Sequence, residues 1–257
     1  MKHLIEELDN GILRITLDSE RWYLDPDTKQ PVPSTTWILE SYPKGIAFWK
    51  WLTALSSEQE GDTIKREAGE RGSRVHHAIE QLLMGNTVSF YDELNEDLGF
   101  RYKPSDWKYL LPFITFYKNE SPDYIEGIEV SFVDIDNNYA GTADVIYIKD
   151  DTKYILDWKT SAYIYENYKC QVAAYAKAFD IDNAKIVQLG TRHKVGYHVF
   201  EMGPDEIEYY YDLFKSVQKI WLNDNRDAKM KVIEIQSKLT LKEEKKNEKR
   251  HKEEDSF

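Results

Sequence analysis

Cysteine is almost missing from this chain. Cys170 is the only one in 257 residues. An intrachain disulfide is therefore excluded, and so is a zinc or iron–sulfur site built from several thiolates. A reducing, intracellular setting is the expectation that follows. Long apolar runs are missing too. No stretch approaches the roughly 20 residues that a membrane helix needs, so no membrane association is expected. Residues 1–10 lack the basic start and apolar run of a secretory leader. Positive charge is scarce, with 34 Lys and Arg against 46 Asp and Glu, a net charge of −12. That balance argues against a broad basic face for gripping nucleic acid. It leaves room for a local cleft in which carboxylates gather cations and a metal supplies the positive charge.

Aromatic residues are abundant: 7 Trp, 18 Tyr and 10 Phe. The length suffices for one large domain or two small ones with a proper core. Residues 12–33 read as a hairpin around the turn Asp25-Pro26-Asp27-Thr28. Ser34, Thr35 and Thr36 offer N-cap oxygens to a short helix at Trp37-Ile38-Leu39, and Ile46 to Leu55 reads as a second helix. Helical spacing of Ile64, Ala68, Val75, Ile79, Leu82 and Leu83 predicts a helix over 61–84, interrupted at Gly72. Residues 105–119 suit a helix capped by Ser105 despite Pro112.

The period then changes. Tyr124 to Val133, Tyr139 to Lys149 and Lys153 to Lys159 are β-rich and separated by tight turns, which implies antiparallel neighbours. Glu166 to Phe179 is helical, Ala184 to Thr191 and Val195 to Met202 are strands, and Pro204 leads a long amphipathic helix through Leu222. The Lys/Glu-rich stretch 239–257 reads as a charged, disordered tail. The expected architecture is α/β: a central sheet flanked by helices, with a helical N-terminal elaboration. One domain is expected over 1–238. Its parts are an N-terminal hairpin and helices (1–120), a sheet with its helix (121–202) and a C-terminal helix (203–238).

Chemistry concentrates in Gly141-Thr142-Ala143-Asp144, Asp157-Trp158-Lys159 and Gln171-Val172-Ala173-Ala174-Tyr175. Side chains alternate faces along a strand, so Asp157 and Lys159 point the same way. A tight turn makes the strand carrying Asp144 their hairpin partner. Two converging carboxylates repel, and a hard divalent cation removes that penalty while keeping positions for water and phosphate. Asp144 and Asp157 are therefore candidate ligands, with the Trp158 backbone carbonyl a possible third. Lys159 is the candidate catalytic cation, able to orient water or stabilise a charged transition state. Gln171 and Tyr175, four apart, share one helix face.

In this combination the three segments resemble the PD-(D/E)XK nuclease superfamily, in its RecB-like exonuclease branch. They are similar to phage exonucleases and mitochondrial genome maintenance exonucleases. Asp144 matches the first acid, Asp157-Trp158-Lys159 the acid-x-Lys element, and Gln171 to Tyr175 the helix motif. Arg71-Gly72-Ser73-Arg74-Val75-His76 resembles the branch's upstream helix motif. The resemblance spans roughly 34–221 and implies a restriction-endonuclease-like core, a central mixed sheet flanked by helices. It implies Mg2+- or Mn2+-dependent hydrolysis of DNA, at a free end and with single strands among the candidate substrates, in recombination, repair or phage replication. The compartment would be the cytoplasm, that of the host if phage-encoded.

The resemblance makes His76 a metal ligand, with Glu80 one turn later near it and His77 structural. It places the acid of Gly127-Ile128-Glu129-Val130, Glu129, close to the site. Gln171 and Tyr175 face the same site. Arg71 and Arg74, flanking the histidine motif, become candidate phosphate contacts. The iron–sulfur members of the branch need four cluster cysteines, so no such cluster is expected here. Two alternatives stay open: a structure-specific endonuclease on the same fold, and a non-catalytic nucleic-acid-binding module.

Overall fold

Two β-sheets frame the described residues, a smaller one within 3–33 and a larger one within 124–202. The computed structural model describes residues 3–8, 10–17, 20–90, 101–191 and 193–226. The tail expected at 239–257, and residues 227–238 of the expected C-terminal helix, lie outside the described residues. The first four strands are β1 (His3–Glu7), β2 (Leu13–Leu17), β3 (Glu20–Leu24) and β4 (Pro31–Pro33), an antiparallel meander in that order. This is larger than the expected hairpin. Residues 3–7 lack period-two alternation and become a strand through pairing with β2. The Asp25 turn forms as its chemistry predicts, Asp25 Oδ1 accepting from the Thr28 and Asp27 amides.

Ser34 caps α1 (Thr35–Ile38), its Oγ accepting from Trp37 N at 3.1 Å. Next come α2 (Ile46–Thr53) and α3 (Glu58–Leu83). The expected interruption at Gly72 does not occur; α3 runs unbroken for 26 residues. An interior glycine costs about 1 kcal/mol. Burying Val75 and Ile79 returns about 1.5–3 kcal/mol each, enough to carry the helix through. A 3-10 turn, Pro104–Asp106, leads into α4 (Trp107–Glu120). Asp106, not the expected Ser105, organises this start: its Oδ2 accepts from Lys103 N at 2.9 Å.

The second sheet contains β5 (Tyr124–Asp134), β6 (Tyr139–Lys149), β7 (Thr152–Lys159), β8 (Ala184–Leu189) and β9 (Tyr197–Met202), in that spatial order. Only β7–β8 is parallel. A parallel pair needs a crossover, and α5 (Glu166–Ala178) supplies it. The last helix is α6 (Pro204–Asp224). One face of the sheet carries Val145, Tyr147, Leu156 and Trp158 against Val75 and Ile79 of α3 and Phe113 and Phe116 of α4. Trp158 meets Phe113 edge-on at 5.1 Å between ring centroids. Elsewhere Trp37 bridges Trp22 and Trp221, at 5.0 and 4.7 Å. The chain is thus a mixed α/β protein with a five-stranded mixed sheet flanked by helices.

Candidate metal centre

The β6–β7 ladder ends at Val145 and Leu156. One step further, the same register sets Asp144 opposite Asp157, on the face away from Trp158. Both aspartates are buried, Asp157 at 3% exposure. The Trp158 amide donates to Asp144 Oδ2 at 2.8 Å, which fixes that carboxylate. His76 arrives from α3. Its neighbours Val75, Ala78 and Ile79 are locked into the core, so the helix cannot rotate the imidazole away. His76 Nδ1 stands 3.4 Å from Asp144 Oδ2.

Glu129 joins from β5, between the paired residues Ile128 and Val130. Its φ is +51°, a left-handed conformation that costs a non-glycine residue about 1 kcal/mol or more. That kink lies at the acid itself. One ligand atom each from His76, Glu129 and Asp144 lies within 4.8 Å of the others.

Lys159 completes the cluster. Its Nζ is 2.6 Å from Asp157 Oδ2, donates to Gln171 Oε1 at 3.3 Å and lies 4.8 Å from the centre of the Tyr168 ring. Gln171 is the hub behind it. Its Nε2 donates to Asp157 Oδ1 at 3.4 Å and to the Tyr175 hydroxyl at 3.2 Å. Tyr175 packs against Gly141, where a Cβ would come within 2.4 Å of the ring. The glycine of the Gly-Thr-Ala-Asp run is therefore what lets α5 close on β6.

The charges push one another. Burial lowers the His76 pKa, yet the adjacent Asp144 charge outweighs it and raises the imidazole to about 9. Burial alone would raise Asp144, but His76, Lys159 and the Trp158 amide hold it below the usual carboxylate range. Asp157 goes the other way: burial and the Asp144 charge lift it to about 6 against the pull of Lys159. Glu129 is also pushed up, by the cleft walls and then by Asp144. Burial works against the Lys159 ammonium, and the two aspartates more than restore it.

Other expected residues fall as follows. The Trp158 peptide reaches the site through its N–H, an interaction the spacing did not suggest. Arg74 is corrected: it is buried and forks onto Asp106, Nε to Oδ2 at 2.8 Å and Nη2 to Oδ1 at 3.0 Å, so it is a structural residue unable to reach phosphate. Burial of α3 against the turn before α4 decides this. Arg71 sits over the Tyr109 ring at 5.5 Å, with a buried Nε that has no hydrogen-bond acceptor. Glu80 is outside the ligand cluster, though its charge reaches Glu129. His77 bonds Tyr102, as a structural histidine should. Sequence reasoning missed Tyr168 beneath Lys159 and Arg14, whose charge reaches Glu129 from β2. Neither lies in a motif.

The donor set that converges, one imidazole nitrogen and the carboxylates of Glu129 and Asp144, suits a hard divalent cation, while Asp157 stands beside it with its Oδ2 against the Lys159 ammonium. Asp157 Oδ2 is buried, and its close partner is the Lys159 ammonium at 2.6 Å. Asp157 and Glu129, both raised by burial and after it by the Asp144 charge, would gain from a cation held beside them.

No family model matches the chain, and no curated protein matches it. Among solved structures, the crystal structure of SSO0001 is similar at 18% identity, over 46% of this chain and 62% of that one, with a TM-score of 0.30. So low a score carries no argument. Among the described residues no helix is long and apolar enough to cross a membrane.

Proposed function

We propose that the chain is a divalent-metal-dependent DNA exonuclease with a PD-(D/E)XK-type site. The observation that carries the reading is the convergence of His76, Glu129 and Asp144 within one ligand-sized space, with Asp157 and Lys159 on the adjoining strand end. In this reading His76, Asp144, Asp157 and Glu129 hold Mg2+ or Mn2+, which when bound draws charge from the phosphodiester and acidifies water. Lys159 keeps its proton, oriented by Asp157 and Gln171, and presents an ammonium to the attacking water and to charge developing on phosphate. Gln171 and Tyr175 are positioning residues: they hold Asp157 and Lys159 in register. The net charge of −12 is consistent with affinity for DNA that depends on the cation. Arg71, with donors to spare, is the candidate phosphate contact on α3.

The test is digestion of end-labelled single-stranded, duplex and closed circular DNA with Mn2+. An exonuclease degrades the linear strands and spares circles; cutting of circles would make it an endonuclease. Lys159→Ala is expected to slow digestion by about 100-fold or more. Digestion by Lys159→Ala at the parent rate, or an inert parent protein, defeats the proposal.

A further inference from the structure

The segment after Lys159 carries three tyrosines, at 163, 165 and 168. Tyrosine rings usually bury most of their area. Here Tyr163 is 68% exposed and Tyr165 47% exposed. Tyr163 meets Tyr165 at 6.2 Å and 67°, and Tyr165 meets Tyr168 at 5.4 Å and 76°. Tyr168 in turn lies under the Lys159 ammonium. An unbroken track of rings therefore leads from the candidate catalytic lysine into open solvent. The loop that displays it is tied down: Gln188 Nε2 donates to Ser161 O at 2.9 Å, and Ser161 Oγ donates to Tyr163 O at 2.7 Å. Glu166, the nearest acid on the track, is paired with Lys169 at 2.6 Å.

Continuity with the cleft decides what such rings are for. A strand whose scissile phosphate lies beside Lys159 must carry its neighbouring nucleotides over or past Tyr168. Rings stack on bases only where the bases are unpaired, since duplex faces are already occupied. Stacking also adds affinity without positive charge, which this acidic chain lacks. We propose that Tyr163, Tyr165 and Tyr168 form a stacking platform for unpaired bases of single-stranded DNA next to the scissile phosphate. The proposal rests on the phosphodiesterase reading of the cleft and adds strandedness to it.

Fluorescence anisotropy in Ca2+ tests it, with labelled oligothymidylate and an abasic strand of equal length and charge. The parent is expected to bind oligothymidylate more tightly than the abasic strand. Tyr163→Ala/Tyr165→Ala is expected to lose roughly tenfold in affinity per ring for oligothymidylate and almost nothing for the abasic strand. Tyr163→Phe/Tyr165→Phe retains the rings and should bind as the parent does. Both positions are exposed, and an unchanged melting temperature verifies folding. Equal affinity of the parent for the two strands, or of the alanine variant and the parent for oligothymidylate, overturns the platform. So does a parent that binds neither strand. Digestion of DNA in Mn2+ by that same parent would leave the cleft reading standing, whereas an inert parent removes both.

Discussion

Substituting Gly141 by alanine probes whether α5 and β6 hold the site as one unit. The new methyl would stand 2.4, 2.8 and 3.0 Å from Cε1, Cζ and the hydroxyl of Tyr175. Carbon atoms rest at about 3.5–4.0 Å, so the ring must retreat by about 1 Å. It has little room. Tyr175 is 3% exposed, Phe132 closes on it edge-on at 5.4 Å, and its hydroxyl is held by Gln171. Overpacking of this kind costs about 1–3 kcal/mol, to be read as a lower urea midpoint. The retreat also drags Gln171, which touches both Asp157 and Lys159. Misplacing a catalytic group by about 1 Å can cost on the order of 100-fold in rate. Mn2+-dependent digestion should therefore fall by much more than the loss of folded protein explains. A variant with the parent's midpoint and the parent's rate would refute the account of how Tyr175 and Gln171 act.

His76, raised to about 9 by Asp144, contributes stability to the metal-free protein that is fully present below about 6.5, its ordinary unfolded value, and is lost as pH rises through about 9. Urea midpoints across that window should fall for the parent and fall less for His76→Gln. Because a ligand imidazole must be neutral, Mn2+ affinity measured by calorimetry should rise with pH over the same window and level off above it. Arg74→Ala should destabilise by about 3–5 kcal/mol by leaving Asp106 buried and unpaired, while Arg74→Met/Asp106→Leu should cost far less; equal losses in the two variants would count against a buried pair. Asp157→Asn removes the charge that Lys159 leans on, and Mn2+ should then raise the melting temperature by less than it raises the parent's.

Much of the fold could be read from residues. Strand boundaries at Tyr124, Tyr139 and Lys149 fell where β-rich composition and turn chemistry placed them, although Tyr139–Lys149 is buried along most of its length and shows no alternation. Ser34 capped its helix for a local reason that needs no tertiary context. What escaped was decided at long range. Residues 3–7 are a strand only because β2 pairs with them. Gly72 stays helical because Val75 and Ile79 are anchored in a distant core. Arg74 looked like a surface cation until Asp106, 32 residues away, claimed it.

The site shows the same division. Asp144, Asp157 and Lys159 meet by strand register, which spacing along a hairpin predicts. Their meeting with His76 depends on how α3 packs on the opposite face of the sheet, and only the family resemblance pointed to it. The left-handed Glu129 carries no sequence signal, since nothing in Gly127-Ile128-Glu129-Val130 marks a kink. Tyr163, Tyr165 and Tyr168 lie in a loop and a first helical turn, where no period reports exposure. Aromatic residues in the N-terminal part divide between core and surface. Trp22 and Trp37 are core, while Trp49 is 54% exposed on α2.

Anomalous diffraction at the manganese edge from crystals soaked in Mn2+ tests the central claim most directly. The account predicts a peak within coordination distance of His76, Asp144 and at least one of Glu129 and Asp157. A peak bound elsewhere, with the imidazole and the aspartates bare, would contradict it.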